Sequence, residues 1–296
     1  MYSRVFLIIH NPRCPAEGGR KLNQVLGWND PDDLAARYIA DVRECSYGQA
    51  EYEILERVEV DGFPVKQDGF AYTPEGYLRC WRARSGFHQP DAVNYHRLID
   101  DFDLVGKINR DEIDEVWLFG FPYAGYYESL MVGPGAVFCN APPLARADAQ
   151  RRFIIMGFSY ERGVGEMLEN LGHRAESILS HVFRRTRGAE NLWERFTRYD
   201  KTHPGQAECG NVHFAPNSER DYDWGNPRFV PCRSRAWLNF PDLTATARKV
   251  NCTEWGNGDI RQHHLWWFRH FPHMSGSSHQ ISHNWWEYVI SPENVA

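Results

Sequence analysis

The chain has no apolar run long enough to cross a bilayer, and none placed to serve as an N-terminal signal sequence. That excludes a helical membrane span. It leaves either a cytosolic protein or a mature form whose leader has been removed. There is no excess of basic residues: the net charge is −6, with both signs mixed along the chain, which argues against nucleic acid as a main partner. There is no Cys-x-x-Cys, which argues against a zinc ribbon. The seven cysteines are widely spread and odd in number, so at least one thiol stays outside any intrachain disulfide set. Buried, idle thiols are expected for most, with room for one disulfide among Cys209, Cys232 and Cys252. No internal repeat, low-complexity tract or P-loop occurs, and Gly163-x-Gly165 alone does not make a dinucleotide fingerprint. Asp221 and Asp223 lie two apart in Ser218 to Pro227. That stretch lacks the central glycine and terminal glutamate of an EF-hand and reads as a solvated turn.

What is present is a chain of 296 residues, 42% of them hydrophobic, ample for a core. Val5–Ile9, Tyr52–Val60, Glu115–Phe119 and the unalternating run Phe153–Met156 read as strands. Pro31 to Cys45, capped by Asp30, and Asp91 to Phe102 read as helices between them. Residues 61–90 form an ordered excursion. This alternation predicts an α/β fold with a mainly parallel sheet and flanking helices. Beyond a short helix at Asn191 to Asp200 the pattern fades into aromatic and polar turns. The expectation is therefore one domain, 1–296. Residues 1–187 would form a sheet-and-helix body, and 188–296 an irregular, aromatic-rich elaboration over the carboxyl edge of the sheet.

The most informative stretch is Arg151 to Val182: a buried strand, a glycine-flanked turn and a long amphipathic helix. Val164, Leu168, Leu171, Ala175, Ile178 and Val182 share one side. Glu166, Glu169, His173 and Glu176 share the other. The plain reading of that second side is a solvated stripe with ordinary i,i+4 pairs. The sharper reading is a ligand set, since imidazole and carboxylates one turn apart converge on one ion, and ligands of open α/β sheets gather at the carboxyl ends of strands. On that reading His173, Glu176 and His213 bind zinc or another divalent cation. His213 would come from a short strand in Cys209 to Asn217, and Glu166 would be general base.

Two metal-free arrangements compete. Glu128, in the turn Gly120 to Ser129, and Glu161 could work as an acid/base pair. Ser159, in Gly157-Phe158-Ser159-Tyr160-Glu161, occupies the position of a nucleophile elbow. Glu161 there replaces the usual glycine and puts negative charge beside an oxyanion. In either case Tyr123, Tyr126, Tyr127 and Tyr160 are the residues expected to stack on substrate.

Eleven tryptophans, many in Asn/Gly-rich stretches, suit a surface that grips sugars or peptides. Asp259 to Phe271 reads as a helix. His263, His264, His270, His273, His279 and His283 crowd the last forty or so residues, where hydrogen-bonding partners outnumber ligands as a rule. The segments GFSYERGVGEMLENLGHRAE, CGNVHFAPN, LWWFRHFPH and NWWEYV resemble those of a group of uncharacterised bacterial and fungal proteins, many exported. The resemblance covers most of the chain. It implies a full-length single unit and a lean to the extracellular side, and carries no activity. The reading that emerges is a metal-dependent hydrolase of a peptide or glycan. A glycan-binding module without catalysis is its rival from another class.

Overall fold

The computed structural model describes residues 1–295. The chain gathers into two compact units. One holds Ser3–Arg37 and Tyr52–Gly163; the other holds Met1–Tyr2, Tyr38–Glu51 and everything from Val164 on.

The first unit is built on a five-stranded sheet. Its strands in chain order are β1 (Tyr2–His10), β2 (Glu51–Val60), β3 (Glu115–Gly120), β4 (Ser129–Val132) and β5 (Phe153–Ser159). They lie side by side as β2-β1-β3-β5-β4. β1 and β3 run parallel with Val5 opposite Glu115, and β3 and β5 run parallel with Leu118 opposite Gly157. β4 closes the edge antiparallel to β5. The inner strands are buried residue after residue, as unalternating apolar runs demand of a sheet covered on both faces. One core joins Phe6, Ile8, Val116, Leu118, Leu130 and Ile155 with Leu98 and Ile108 from two short helices.

The expected α/β architecture with a mainly parallel sheet is therefore present. The helix expected over Asp91 to Phe102 is shorter, Tyr95–Asp101, with Asn94 accepting the N–H of Arg97 as its cap. The excursion at 61–90 carries a helix of its own, Pro74–Ala83, capped by Thr73. β4, which follows the turn at Gly120 to Ser129, is not among the strands read from the sequence.

The second unit is organised by the helix Val164–Val182. Gly165 lets a neighbour come close: a Cβ there would stand 2.5 Å from Cγ2 of Ile260, at the start of the helix Ile260–Arg269. Trp193, Phe196, Trp237, Trp267, Phe271 and Trp285 pack mostly edge to face in a continuous aromatic core. So the tryptophans of the C-terminal half mostly fill space, while their indole N–H groups tie loops. Trp237 bonds the Glu208 carboxylate, and Trp267 the carbonyl of Gly210. The helix expected over Asn191 to Asp200 is the single short stretch Leu192–Phe196. All seven cysteines are free, and Cys209, Cys232 and Cys252 are buried thiols, so the disulfide allowed for among them is not formed. No helix of the described residues is long and apolar enough to cross a membrane.

Candidate metal centre

Helical spacing sets Glu169 and His173 one turn apart on the same side of Val164–Val182. Glu169 is buried there and His173 nearly so. The third member, His213, arrives on a loop whose shape is fixed by side-chain bonds. It does not come out of a strand. Gly210 adopts φ +71°, and a Cβ on it would collide with the carbonyl of Phe214 at 2.1 Å, so only glycine fits. The Asn211 side-chain oxygen accepts the N–H groups of His213 and Phe214 at 3.1 and 2.9 Å, folding the loop over itself. Two features seat this loop on the helix. Glu176 Oε1 accepts the Val212 N–H at 3.0 Å, and Gly172 leaves room for the Val212 side chain.

The result is a triangle of donor atoms. Nε2 of His173 and Nε2 of His213 are 3.1 Å apart. Glu169 Oε1 lies 3.3 Å from His213 Nε2 and 3.9 Å from His173 Nε2. The point equidistant from all three is about 2 Å from each, the length of zinc–nitrogen and zinc–carboxylate bonds.

The opposite ring nitrogens each meet a carboxylate. His173 Nδ1 meets Glu176 Oε2 at 3.2 Å, and His213 Nδ1 meets Asp221 Oδ1 at 3.0 Å. A carboxylate accepts, so in the neutral ring Nδ1 is the nitrogen placed to carry the proton, which leaves Nε2 as the one free to coordinate. The Tyr222 hydroxyl stands 3.1 Å from His213 Nε2, on an exposed ring. Donor atoms this close are reconciled by a shared cation or by a proton on one Nε2. His264 is also close. Its Nδ1 donates to the carbonyl of Ile260, and burial pulls its pKa down to about 4, which keeps it neutral.

Of the expected ligands, His173 and His213 come together. Glu176 stands on the far nitrogen of His173, where it orients the ring, and Glu169 takes the position facing the triangle. Glu166 lies one turn before Glu169, in the first turn of the same helix. Asp221 reads from the sequence only as part of a solvated turn and Tyr222 not at all: no periodicity links them to His213, eight and nine residues away.

The other sequence candidates lie in the first unit. Tyr160 is fully buried with its hydroxyl on the carbonyl of His10, and the mostly buried Tyr126 bonds His10 Nδ1, so neither ring is offered for stacking. Tyr123 and Tyr127 are partly exposed, stacked on Phe87 and Tyr95. Glu128 receives the side-chain amide of Asn140, and Glu161 lies 3.7 Å from the guanidinium of its neighbour Arg162. The Ser159 hydroxyl is sealed in with no hydrogen-bond partner, and no imidazole reaches it as base. No protein-family model, curated protein or solved structure matches the chain.

Proposed function

We propose that the chain is a divalent-metal-dependent hydrolase of a polar polymer, peptide or glycan, with zinc on Glu169, His173 and His213. The observation that carries the reading is the pair of facing Nε2 atoms, 3.1 Å apart, each ring with a carboxylate behind it on Nδ1. Two imidazoles and one carboxylate suit zinc and not calcium or magnesium, which take oxygen ligands. Three protein ligands leave a fourth position for water, the arrangement of catalytic zinc sites. The ion would lower the pKa of that water towards neutrality and polarise the scissile group.

The chain's own residues supply the rest. Glu166, about 4.5 Å further up the helix axis than Glu169, accepts the proton of the attacking water and returns it to the leaving group. Tyr222, beside His213, donates to the oxygen that gains charge as water adds. Its ring also forms one side of an open depression of about 570 Å³ lined by Glu219, Arg220, Asp223 and Asn226. A wide, polar, open trough suits a hydrophilic polymer better than a small apolar molecule.

The test is metal analysis of purified protein, with zinc titration after dialysis against chelator. One zinc per chain is expected, lost in His173→Ala, His213→Ala and Glu169→Ala. Glu166→Gln should keep the metal while losing at least a hundredfold in turnover on the responsive substrate of a peptide and glycan panel. Zinc binding unchanged by all three alanine variants would end the proposal. So would activity indifferent to chelator. Sugar binding without turnover, in protein free of metal, would move the assignment to a binding module.

A further inference from the structure

The sheet of the first unit carries a second built feature, unrelated to the metal centre. A Cβ on Gly120, at the end of β3, would stand 2.7 Å from the Tyr126 ring, and one on Gly157, in β5, 2.7 Å from the Cβ of Tyr126. Two glycines on neighbouring strands thus clear the bed on which this tyrosine lies. Its hydroxyl reaches Nδ1 of His10 at 2.6 Å. His10 is the last residue of β1, at the end of a parallel strand where ligands of such sheets gather.

A phenol proton enclosed in protein needs an acceptor, and His10 Nδ1 is the one it meets, so the imidazole proton belongs on Nε2. Burial holds the imidazole neutral and pushes the phenol up, so the pair carries no charge. His10 also lines a half-open cavity of about 140 Å³, and with Nδ1 taken by Tyr126, Nε2 is the nitrogen left for a guest there. Val60, Phe63, Val65, Val93, Leu98 and Phe102 make up its apolar walls. Phe102 stands edge-on to the imidazole, with ring centroids 6.5 Å apart. Arg97 and Asp101 also line the cavity and neutralise each other across 3.3 Å. A cavity of about 150 Å³ with walls of this kind is large enough for benzene.

We propose that this cavity binds a small, uncharged, largely apolar molecule of six-membered-ring size, whose single oxygen acceptor (carbonyl or ether) takes the Nε2 proton of His10. Tyr126 is a positioning residue, because it fixes which nitrogen carries that proton.

The probe is cyclohexanone, with cyclohexane and cyclohexylammonium as comparisons, titrated into the full chain while the His10 ring signals are followed by ¹H–¹⁵N NMR. Without probe, those signals should report the Nε2–H tautomer. Cyclohexanone should move them saturably, binding roughly three- to tenfold more tightly than cyclohexane, the worth of one hydrogen bond. Cyclohexylammonium should leave them in place. Val65→Phe, on the half-buried wall, should abolish the shifts while circular dichroism stays native. Tyr126→Phe should release the tautomer and weaken cyclohexanone without affecting cyclohexane. The idea is overturned if His10 fails to respond to cyclohexanone, if cyclohexane binds equally well, or if Val65→Phe binds as before.

Discussion

A methyl group on Gly172 would come 2.6 Å from Cγ2 of Val212, far inside the distance at which two carbons pack. In a helix, alanine is worth about 1 kcal/mol over glycine, so Gly172→Ala has opposed effects. The helix gains propensity while the loop bearing His213 is pushed off it. Overall stability should therefore change by less than about 1 kcal/mol, whereas zinc affinity should fall at least tenfold. Thermal melting of metal-free protein and a chelator competition separate the two; an affinity equal to wild type would show that the seat of Val212 does not set the ligand geometry. Glu176 and Asp221 act on the same atoms from behind. Glu176→Gln retains an oxygen for the Val212 N–H but removes the charge that favours a lone pair on His173 Nε2. Both it and Asp221→Asn should weaken zinc by about 10–100-fold, measured by the same competition. An unchanged affinity in both would mean that the carboxylates do not hold the tautomers.

Elements whose residues repeat a period over many positions were legible in advance. The helix Val164–Val182 spans five turns with one apolar side, and Pro31–Cys45 carries its own start signal, with Asp30 Oδ1 accepting the N–H of Asp32 at 2.9 Å. β4 was not legible. It has four residues, and what makes it a strand is pairing with β5, more than twenty residues on, which no local pattern announces. The centre shows the same divide. His173 with a carboxylate on its own helix could be read from spacing. Which of Glu169 and Glu176 joins the triangle could not, because the two flank opposite nitrogens of one ring and the choice depends on where His213 arrives. That arrival is written in Gly210 and in the bonds of Asn211, which have no period. Asn211→Ala removes the acceptor of two backbone N–H groups and should cost about 1–3 kcal/mol. It should also cut zinc uptake, while the long helix keeps its ellipticity. A variant as stable as wild type in urea would show that the loop is held from elsewhere.

Across the whole molecule, four buried imidazoles set a limit on acid tolerance. His10, His264 and His270 have pKa values pulled down to about 4 by burial, and burial also pulls His263 well below its ordinary value. In the unfolded chain each returns to about 6.5. Between those values the unfolded state binds more protons than the folded one, so stability rises with pH across the window. Conversely, it is fully present above pH 6.5 and is lost as pH falls towards 4. A depression of this size corresponds to on the order of 3 kcal/mol per group at most, against about 5–15 kcal/mol for a whole domain. Protonating several together should therefore unfold the protein before most carboxylates titrate. Followed by tryptophan fluorescence in chelator, so that loss of metal does not contribute, the unfolding midpoint is expected above pH 4. His270 isolates the effect, since its Nδ1 donates to the carbonyl of Trp266 and its ring packs on that indole, whereas His279 is exposed. His270→Phe keeps the packing, abolishes one proton site and should move the midpoint to lower pH. His279→Gln should leave it in place. If both variants unfold at the wild-type pH, the buried imidazoles do not govern the acid limit, and the carboxylate ion pairs must.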